Sequence, residues 1–139
     1  MKYLLIPLIV ALVACSGATP GPTAIPQPPS AQFVVEQFKA AGLSITDMKK
    51  GKRAEGTKLP NSYKDDMVFV ITEVAPYGGQ VFVCDMKKNC DALYAYFDAL
   101  KALSGSYLYQ SPAGTVVVQL NSGLKVDTAA QFEKIVAGL

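Results

Sequence analysis

Histidine and tryptophan are absent from this chain of 139 residues, and cysteine occurs only three times. The absence of histidine removes the usual general base near neutral pH, and with it every Ser-His or Cys-His nucleophile arrangement. The glycines form no phosphate-binding motif, because Gly78-Gly79 joins two predicted strands rather than preceding a helix. We therefore expect no catalytic residue, no cofactor and no metal site.

The chain has no apolar run long enough to span a bilayer at its start, where residues 3–13 supply eleven residues and a spanning helix needs about 20. Lys2 precedes this run, which is the layout of a secretory signal. The run closes on Leu12-Val13-Ala14-Cys15, which resembles the processing site of bacterial lipoproteins. An ordinary signal cleaved near Ala14, with an incidental cysteine, is the alternative interpretation.

The resemblance to lipoproteins implies a cellular location for the mature protein. Residues 1–14 would be a signal peptide, and Cys15 would carry a diacylglycerol on its sulfur and become the new N-terminus. We expect the protein to be anchored to a membrane through Cys15 and to face away from the cytoplasm. Ser16, rather than aspartate, follows the cysteine, so the resemblance implies the outer membrane in a cell that has two.

Two further segments follow the signal. Residues 15–30 contain five of the nine prolines, and since proline fixes φ and removes a hydrogen-bond donor, we predict an extended spacer behind the lipidated cysteine. Residues 31–139 are long enough for one globular domain with a single core. Without Lys2 the chain keeps 12 basic and 11 acidic residues, which gives no electrostatic basis for binding nucleic acid.

Hydrophobic periodicity predicts an α+β domain in the order α-β-β-α-β-β-α. The first helix begins after Ser30 and ends at Gly42, and Thr128-x-x-Gln131 is a candidate capping box for the last. We expect a four-stranded antiparallel sheet from two hairpins, with the helices packed on one face. The remaining predicted elements are strands at 67–74 and 80–84, a helix at 91–103, and strands beginning at Ser106 and Thr115.

The region from Phe33 to Leu139 resembles small bacterial membrane lipoproteins of unassigned function whose domains follow the same order. The resemblance implies the order of elements and brings no activity or ligand with it. The shared segments are residues 38–43 at the end of the first helix, 78–82 entering the second strand, 96–100 in the second helix, and 118–121 in the last strand.

Cys84 and Cys90 remain as a pair if Cys15 carries lipid. In an oxidising compartment such a pair favours a disulfide, and here it would join a strand end to a helix start that Asp85 would cap. A metal site is a poor alternative because no histidine or further cysteine completes four ligands. Redox catalysis is also disfavoured, since the spacing is not Cys-x-x-Cys.

Two surfaces are candidates for a partner. The first is a long loop over residues 43–62 and its surroundings, whose basic side chains suit anionic lipid headgroups or wall phosphates, although a solvated connection explains them too. The second is an aromatic surface on the open face of the sheet. The basic residues are Lys49, Lys50, Lys52, Arg53, Lys58 and Lys64, and the aromatic ones are Phe82, Tyr107 and Tyr109.

These features predict a lipid-anchored envelope protein with a non-catalytic binding or accessory domain, and a protein or envelope polymer as its partner. The alternative is a small envelope hydrolase that uses carboxylates or a minimal serine site. The carboxylates available for it are Asp65, Asp66, Glu73, Asp85, Asp91 and Asp98.

Overall fold

The computed structural model describes residues 27–52, 56 and 58–139. The predicted signal peptide, Cys15 and most of the predicted spacer therefore lie outside the described residues, as does Arg53. In chain order the elements are α1 (Ala31–Ala40), β1 (Ile45–Lys50), β2 (Asp65–Ile71), a 3-10 turn (Thr72–Val74), β3 (Gly78–Val83), α2 (Lys87–Ser104), β4 (Tyr107–Gln110), β5 (Val116–Leu120) and α3 (Val126–Val136).

The strands form one antiparallel sheet in the order β1-β2-β3-β5-β4. The α+β class and both predicted hairpins, β2-β3 and β4-β5, are confirmed. The predicted strand count is wrong, because the sheet has five strands rather than four. The additional strand, β1, occupies the first part of the segment that the sequence predicts to be a loop.

A β-bulge in β1 explains why its sequence does not alternate like a strand. Between the pairs Thr46–Val70 and Lys49–Val68, two residues of β1 stand opposite one residue of β2. Asp47 has a φ of 49°, a left-handed value that aspartate tolerates better than most residues. Because of the extra residue, Ile45 and Met48 pack against the same core although they are three positions apart. Apolar residues in β1 therefore do not recur at every second position, as they do in a regular strand.

The main core lies on one face of the sheet, beneath α1 and α3. Phe38 of α1, Phe69 of β2 and Phe132 of α3 are each at most 1% exposed. The Phe38 and Phe132 rings meet edge to face with centroids 4.8 Å apart. Val116, Val118 and Leu120, at alternate positions of β5, all point into this core.

The opposite face carries α2, so the prediction that all helices pack on one face is wrong. Cys90, Leu93 and Phe97 of α2 pack against Phe82 of β3 and Val117 of β5. Both strands are therefore buried on their two faces over this stretch, which is why their sequences are continuously apolar. Because α2 contacts β4 and β5, the opposite face over β1 and β2 stays uncovered by any described helix.

The helix ends differ in how well the sequence predicted them. Ser30 caps α1 by accepting a hydrogen bond from the Phe33 N–H at 3.1 Å, and Gly42 adopts a φ of 87° after it, both as predicted. Asp85 does not cap α2, which begins at Lys87 without a side-chain cap. Thr128 forms no capping box either.

The Glu73 carboxylate, in the turn after β2, performs the capping role at α3 instead. It accepts hydrogen bonds from the Lys125 N–H and the Thr128 hydroxyl, both at 2.8 Å. The bond from the Lys125 backbone, followed by that from Thr128, lowers the pKa of Glu73 from its usual value. A residue 52 positions away in the chain therefore fixes the start of α3 to the sheet.

The Asp65 carboxylate ties the start of α1 to β1 and β2. It accepts a hydrogen bond from the Ala31 N–H at 2.9 Å and pairs with Lys50. Burial alone raises the pKa of this carboxyl, but the hydrogen bond from Lys50 and then that from Ala31 outweigh it, so the net pKa lies below its usual value.

We expect Asp65→Asn to lower the free energy of unfolding at pH 7 by about 1 kcal/mol, because the amide loses the charge-assisted bonds. Since the folded-state pKa is depressed, this stabilisation is present above the unfolded value near 3.8 and is lost as the pH falls through the folded value. Urea unfolding between pH 3 and pH 7 measures both effects. Asp98→Asn, on the exposed side of α2, is the matched control, and an equal loss in both variants would contradict the assignment.

Candidate functional site: the open-face groove

A shallow groove of about 380 Å³ lies on the part of the sheet that α2 leaves uncovered. We call it the open-face groove. Its floor is formed by side chains of β2, β3 and β5, and its rim by β1 on one side and by the turn before β3 on the other. The lining residues are Asp47, Lys49, Val68, Phe69, Val70, Pro76, Tyr77, Gly78, Gly79, Gln80, Ser106, Gln119, Leu120 and Asn121.

Two glutamines stand side by side on the floor of the groove, because Gln80 of β3 pairs directly with Gln119 of β5. The Gln80 amide nitrogen donates to the Asp66 carboxylate at 2.8 Å, and the Gln119 amide nitrogen donates to the Ser106 hydroxyl at 3.5 Å. These bonds engage the nitrogens and fix the orientation of both amides. A glutamine amide oxygen is a hydrogen-bond acceptor, the kind of group that a ligand with hydroxyl or N–H donors uses.

Gly51, just after β1, allows the chain to approach the hydrogen-bonded side chains of Asp66 and Gln80. A side chain there would collide with the Asp66 carboxylate and lie 3.0 Å from the Gln80 amide nitrogen. Asp66 itself is only 7% exposed, and its bond to Gln80 satisfies it. Asp66 thus lies beneath the groove and supports Gln80, which lines it.

The rim combines an exposed aromatic ring with two opposite charges. Tyr77 is 64% exposed, which is high for a tyrosine in a folded domain. It follows the cis peptide between Ala75 and Pro76. Asp47 and Lys49 line the β1 side of the groove and balance each other in formal charge. The lining is therefore neutral overall and offers hydrogen bonds together with one flat apolar surface.

Cys84 and Cys90 lie away from the groove, at the junction of β3 and α2. Both are fully buried, and they stand at disulfide distance with Cα atoms 5.7 Å apart. This separation is typical of disulfides. The predicted proximity is confirmed, and the predicted bond in the exported protein stays a prediction.

The predicted aromatic surface does not form. Phe82 is fully buried beneath α2, whereas Tyr107 and Tyr109 pack against the main core on the opposite face. The Tyr107 hydroxyl donates to the Leu124 carbonyl at 3.1 Å. Burial, with the nearby charge of Glu133, raises the pKa of Tyr109 to about 12. These tyrosines are structural.

The candidate catalytic carboxylates are dispersed rather than paired. Asp65 and Glu73 hold helix starts, as described above. The Asp91 carboxylate pairs with Lys87 and accepts a hydrogen bond from Gln110, and these two contacts, in that order, lower its pKa from the usual value. Asp85 forms an ion pair with Lys64 at 3.2 Å, and Asp98 is exposed on α2.

None of the described helices is long and apolar enough to cross a membrane. Within the same residues, no group of three or more histidine, cysteine, aspartate or glutamate side chains is arranged to hold a metal ion.

Comparisons with known proteins give no assignment. No family model matches the chain, and neither curated proteins nor solved structures gave a significant match. The fold and the site therefore rest on this chain alone.

The sequence indicates part of the groove. In the last strand, Gln119 and Asn121 alternate with Val118 and Leu120, and the groove lies on the side of these two polar residues. The sequence did not identify Lys49 or Tyr77 as groove residues, because β1 was predicted to be a loop and because a tyrosine between two strands carries no periodic signal. The tandem Gly78-Gly79 at the start of β3 is a local signal of a close backbone approach.

Proposed function

We propose that this protein is a lipid-anchored, extracytoplasmic envelope protein whose domain binds a neutral polar ligand in the open-face groove without converting it. The ligand class is an envelope polymer that carries hydroxyl or amide groups. The observation that carries the binding role is the groove itself, with two oriented glutamine amides on its floor and the exposed Tyr77 ring on its rim.

The composition of the groove supports this ligand class. Amide oxygens accept hydrogen bonds from hydroxyl and N–H groups, and an exposed tyrosine ring offers a flat surface for a sugar face or another planar group. Asp47 and Lys49 balance in charge, so a strongly charged ligand gains little there. Shallow polar grooves of this kind suit an extended polymer better than an enclosed small molecule.

The proposed extracytoplasmic location is supported by two other features. The first is the Leu12-to-Cys15 pattern after a short apolar run. The second is the buried pair of Cys84 and Cys90 at disulfide distance, which favours an oxidising compartment because such bonds rarely persist in a reducing cytosol.

Binding has more support than carboxylate hydrolysis. A glycoside hydrolase of the usual kind places two carboxylates across the bond that it cleaves. Among the described residues that line the open-face groove, Asp47 is the one carboxylate. The Ser106 hydroxyl also lines it, but its recorded partners are Ser104 and Gln119, neither of which is a base.

We expect Tyr77→Ala to weaken binding to the insoluble envelope polymer about fivefold, which corresponds to the loss of one stacking contact of about 1 kcal/mol. Co-sedimentation of the lipidated protein, solubilised in detergent, with purified polymer measures the dissociation constant. Leu103→Ala is the matched control, because Leu103 is 88% exposed and lies on α2 outside the groove. Equal affinities of the wild type, Tyr77→Ala and Leu103→Ala for the polymer would contradict binding in the open-face groove.

A further inference from the structure

The geometry points to a membrane-facing surface: we infer that the end of the sheet at which the spacer joins the domain rests on anionic phospholipid headgroups. We call this surface the tether end. The inference rests on the proposed lipid anchor at Cys15 and adds an orientation to it. The lysines of the tether end are Lys50, Lys52, Lys58, Lys64, Lys87 and Lys88.

The Asp65 carboxylate fixes the position of the tether end. It binds the Ala31 N–H at the start of α1, so the chain that arrives from residue 15 reaches the domain here. The same carboxylate pairs with Lys50 at the end of β1. The spacer and the basic segment that follows β1 therefore meet at one end of the sheet.

The start of α2 lies at this end as well. Asp65 pairs in register with Val83, the last residue of β3, and Asp85 two residues later forms an ion pair with Lys64. The chain then enters α2 at Lys87. Lys87 and Lys88 thus join a basic surface whose other lysines lie some 20 to 40 positions earlier in the sequence.

The charge of the domain is divided between its two parts. Among the described residues, the tether end carries six lysines against four aspartates, Asp65, Asp66, Asp85 and Asp91, which is a net charge of two positive. The other described side chains comprise five lysines and six carboxylates, a net charge of one negative. A nearly neutral domain therefore has a positive end, and an anionic bilayer attracts that end and repels the rest.

The length of the spacer permits this contact. Gln27, the first described residue, lies twelve positions after Cys15, and even a fully extended chain of this length spans only about 40 Å. The domain is thus held near the lipid surface at high local concentration. The Debye length at physiological ionic strength is about 8 Å. The lysines of the tether end are therefore attracted to the headgroups only when this end lies close to the lipid surface.

Lysine labelling of the anchored protein tests the orientation. The full-length lipidated protein is reconstituted into phosphatidylglycerol vesicles or neutral phosphatidylcholine vesicles, and an amine-reactive reagent is read out residue by residue by mass spectrometry. We expect Lys52, Lys58 and Lys88 to react at least about threefold more slowly on the anionic vesicles, and added salt to abolish the difference. Lys39, Lys101 and Lys134, exposed elsewhere on the domain, should react equally on both.

Two triple variants provide the matched comparison. Replacing Lys52, Lys58 and Lys88 with glutamine should abolish the slow labelling of Lys64 on anionic vesicles. Replacing Lys39, Lys101 and Lys134 with glutamine removes the same charge and should preserve it. All six side chains are exposed, and none forms an ion pair with another described residue, so both variants should fold.

The outcomes separate the orientation from the anchor. Equal labelling of the tether end on both kinds of vesicle, or protection by a dissolved phosphate polymer but not by the vesicles, overturns the orientation while leaving the anchor in place. An intact mass without added lipid, together with failure to float with neutral vesicles, overturns the proposed anchor itself.

Discussion

Cys15→Ala should abolish membrane anchoring. Without the thiol there is no sulfur to receive a diacylglycerol, and cleavage before residue 15, which depends on the modified cysteine in the lipoproteins that this start resembles, should fail. We expect the variant to accumulate as an unprocessed precursor that retains residues 1–14, or to be released after cleavage elsewhere. Intact mass of the protein and its distribution between the membrane and soluble fractions measure this effect.

Ser16→Ala is the control for the Cys15 experiment, because it changes the adjacent residue and keeps the thiol. It should be processed and anchored as the wild type is. An unmodified residue 15 within a longer wild-type chain would refute lipidation at this position. Wild-type protein cleaved after Ala14 but carrying no lipid would instead support the alternative of an ordinary signal.

Joint replacement of Cys84 and Cys90 by alanine should lower the free energy of unfolding by about 2 kcal/mol. A bond between residues six positions apart restricts the unfolded chain by an amount of this order in the chain-entropy model. Because the pair lies at the junction of β3 and α2, away from the open-face groove, binding should persist at temperatures at which the variant is folded. Urea unfolding under oxidising conditions measures the change.

The reduced wild type is the control for the cysteine variant. If a bond between Cys84 and Cys90 supplies the stability, a thiol reductant should bring the wild type close to the double variant and leave the variant unchanged. Intact mass after alkylation without reductant tests the bond directly. Two freely alkylated thiols in the native, oxidised protein would contradict it, and loss of binding in a still-folded variant would contradict a purely structural role.

Local chemistry determined a large part of this fold. Ser30 and Gly42 bound α1 because a hydroxyl at the N-cap and a glycine at a left-handed position act on their immediate neighbours. The two hairpins follow from β-branched runs separated by turn residues, and their strands lie close to the predicted positions. The proximity of Cys84 and Cys90 also follows from a short sequence separation across a strand end and a helix start.

Only the tertiary structure determined which face of each strand packs against which helix or neighbouring strand. Phe82 lies within a run of apolar residues, so its sequence contains no alternation to indicate that it faces α2 while its neighbours face α1 and α3. β1 was hidden because the bulge at Asp47 breaks the period of two, and its pairing depends on β2, which begins some 15 residues later. The composition likewise indicates a nearly neutral protein, whereas the fold brings the starts of α1 and α2 and the basic end of β1 to the same end of the sheet. A local pattern reports what a segment can form, but the side that it buries and the charges beside it depend on segments distant in the chain.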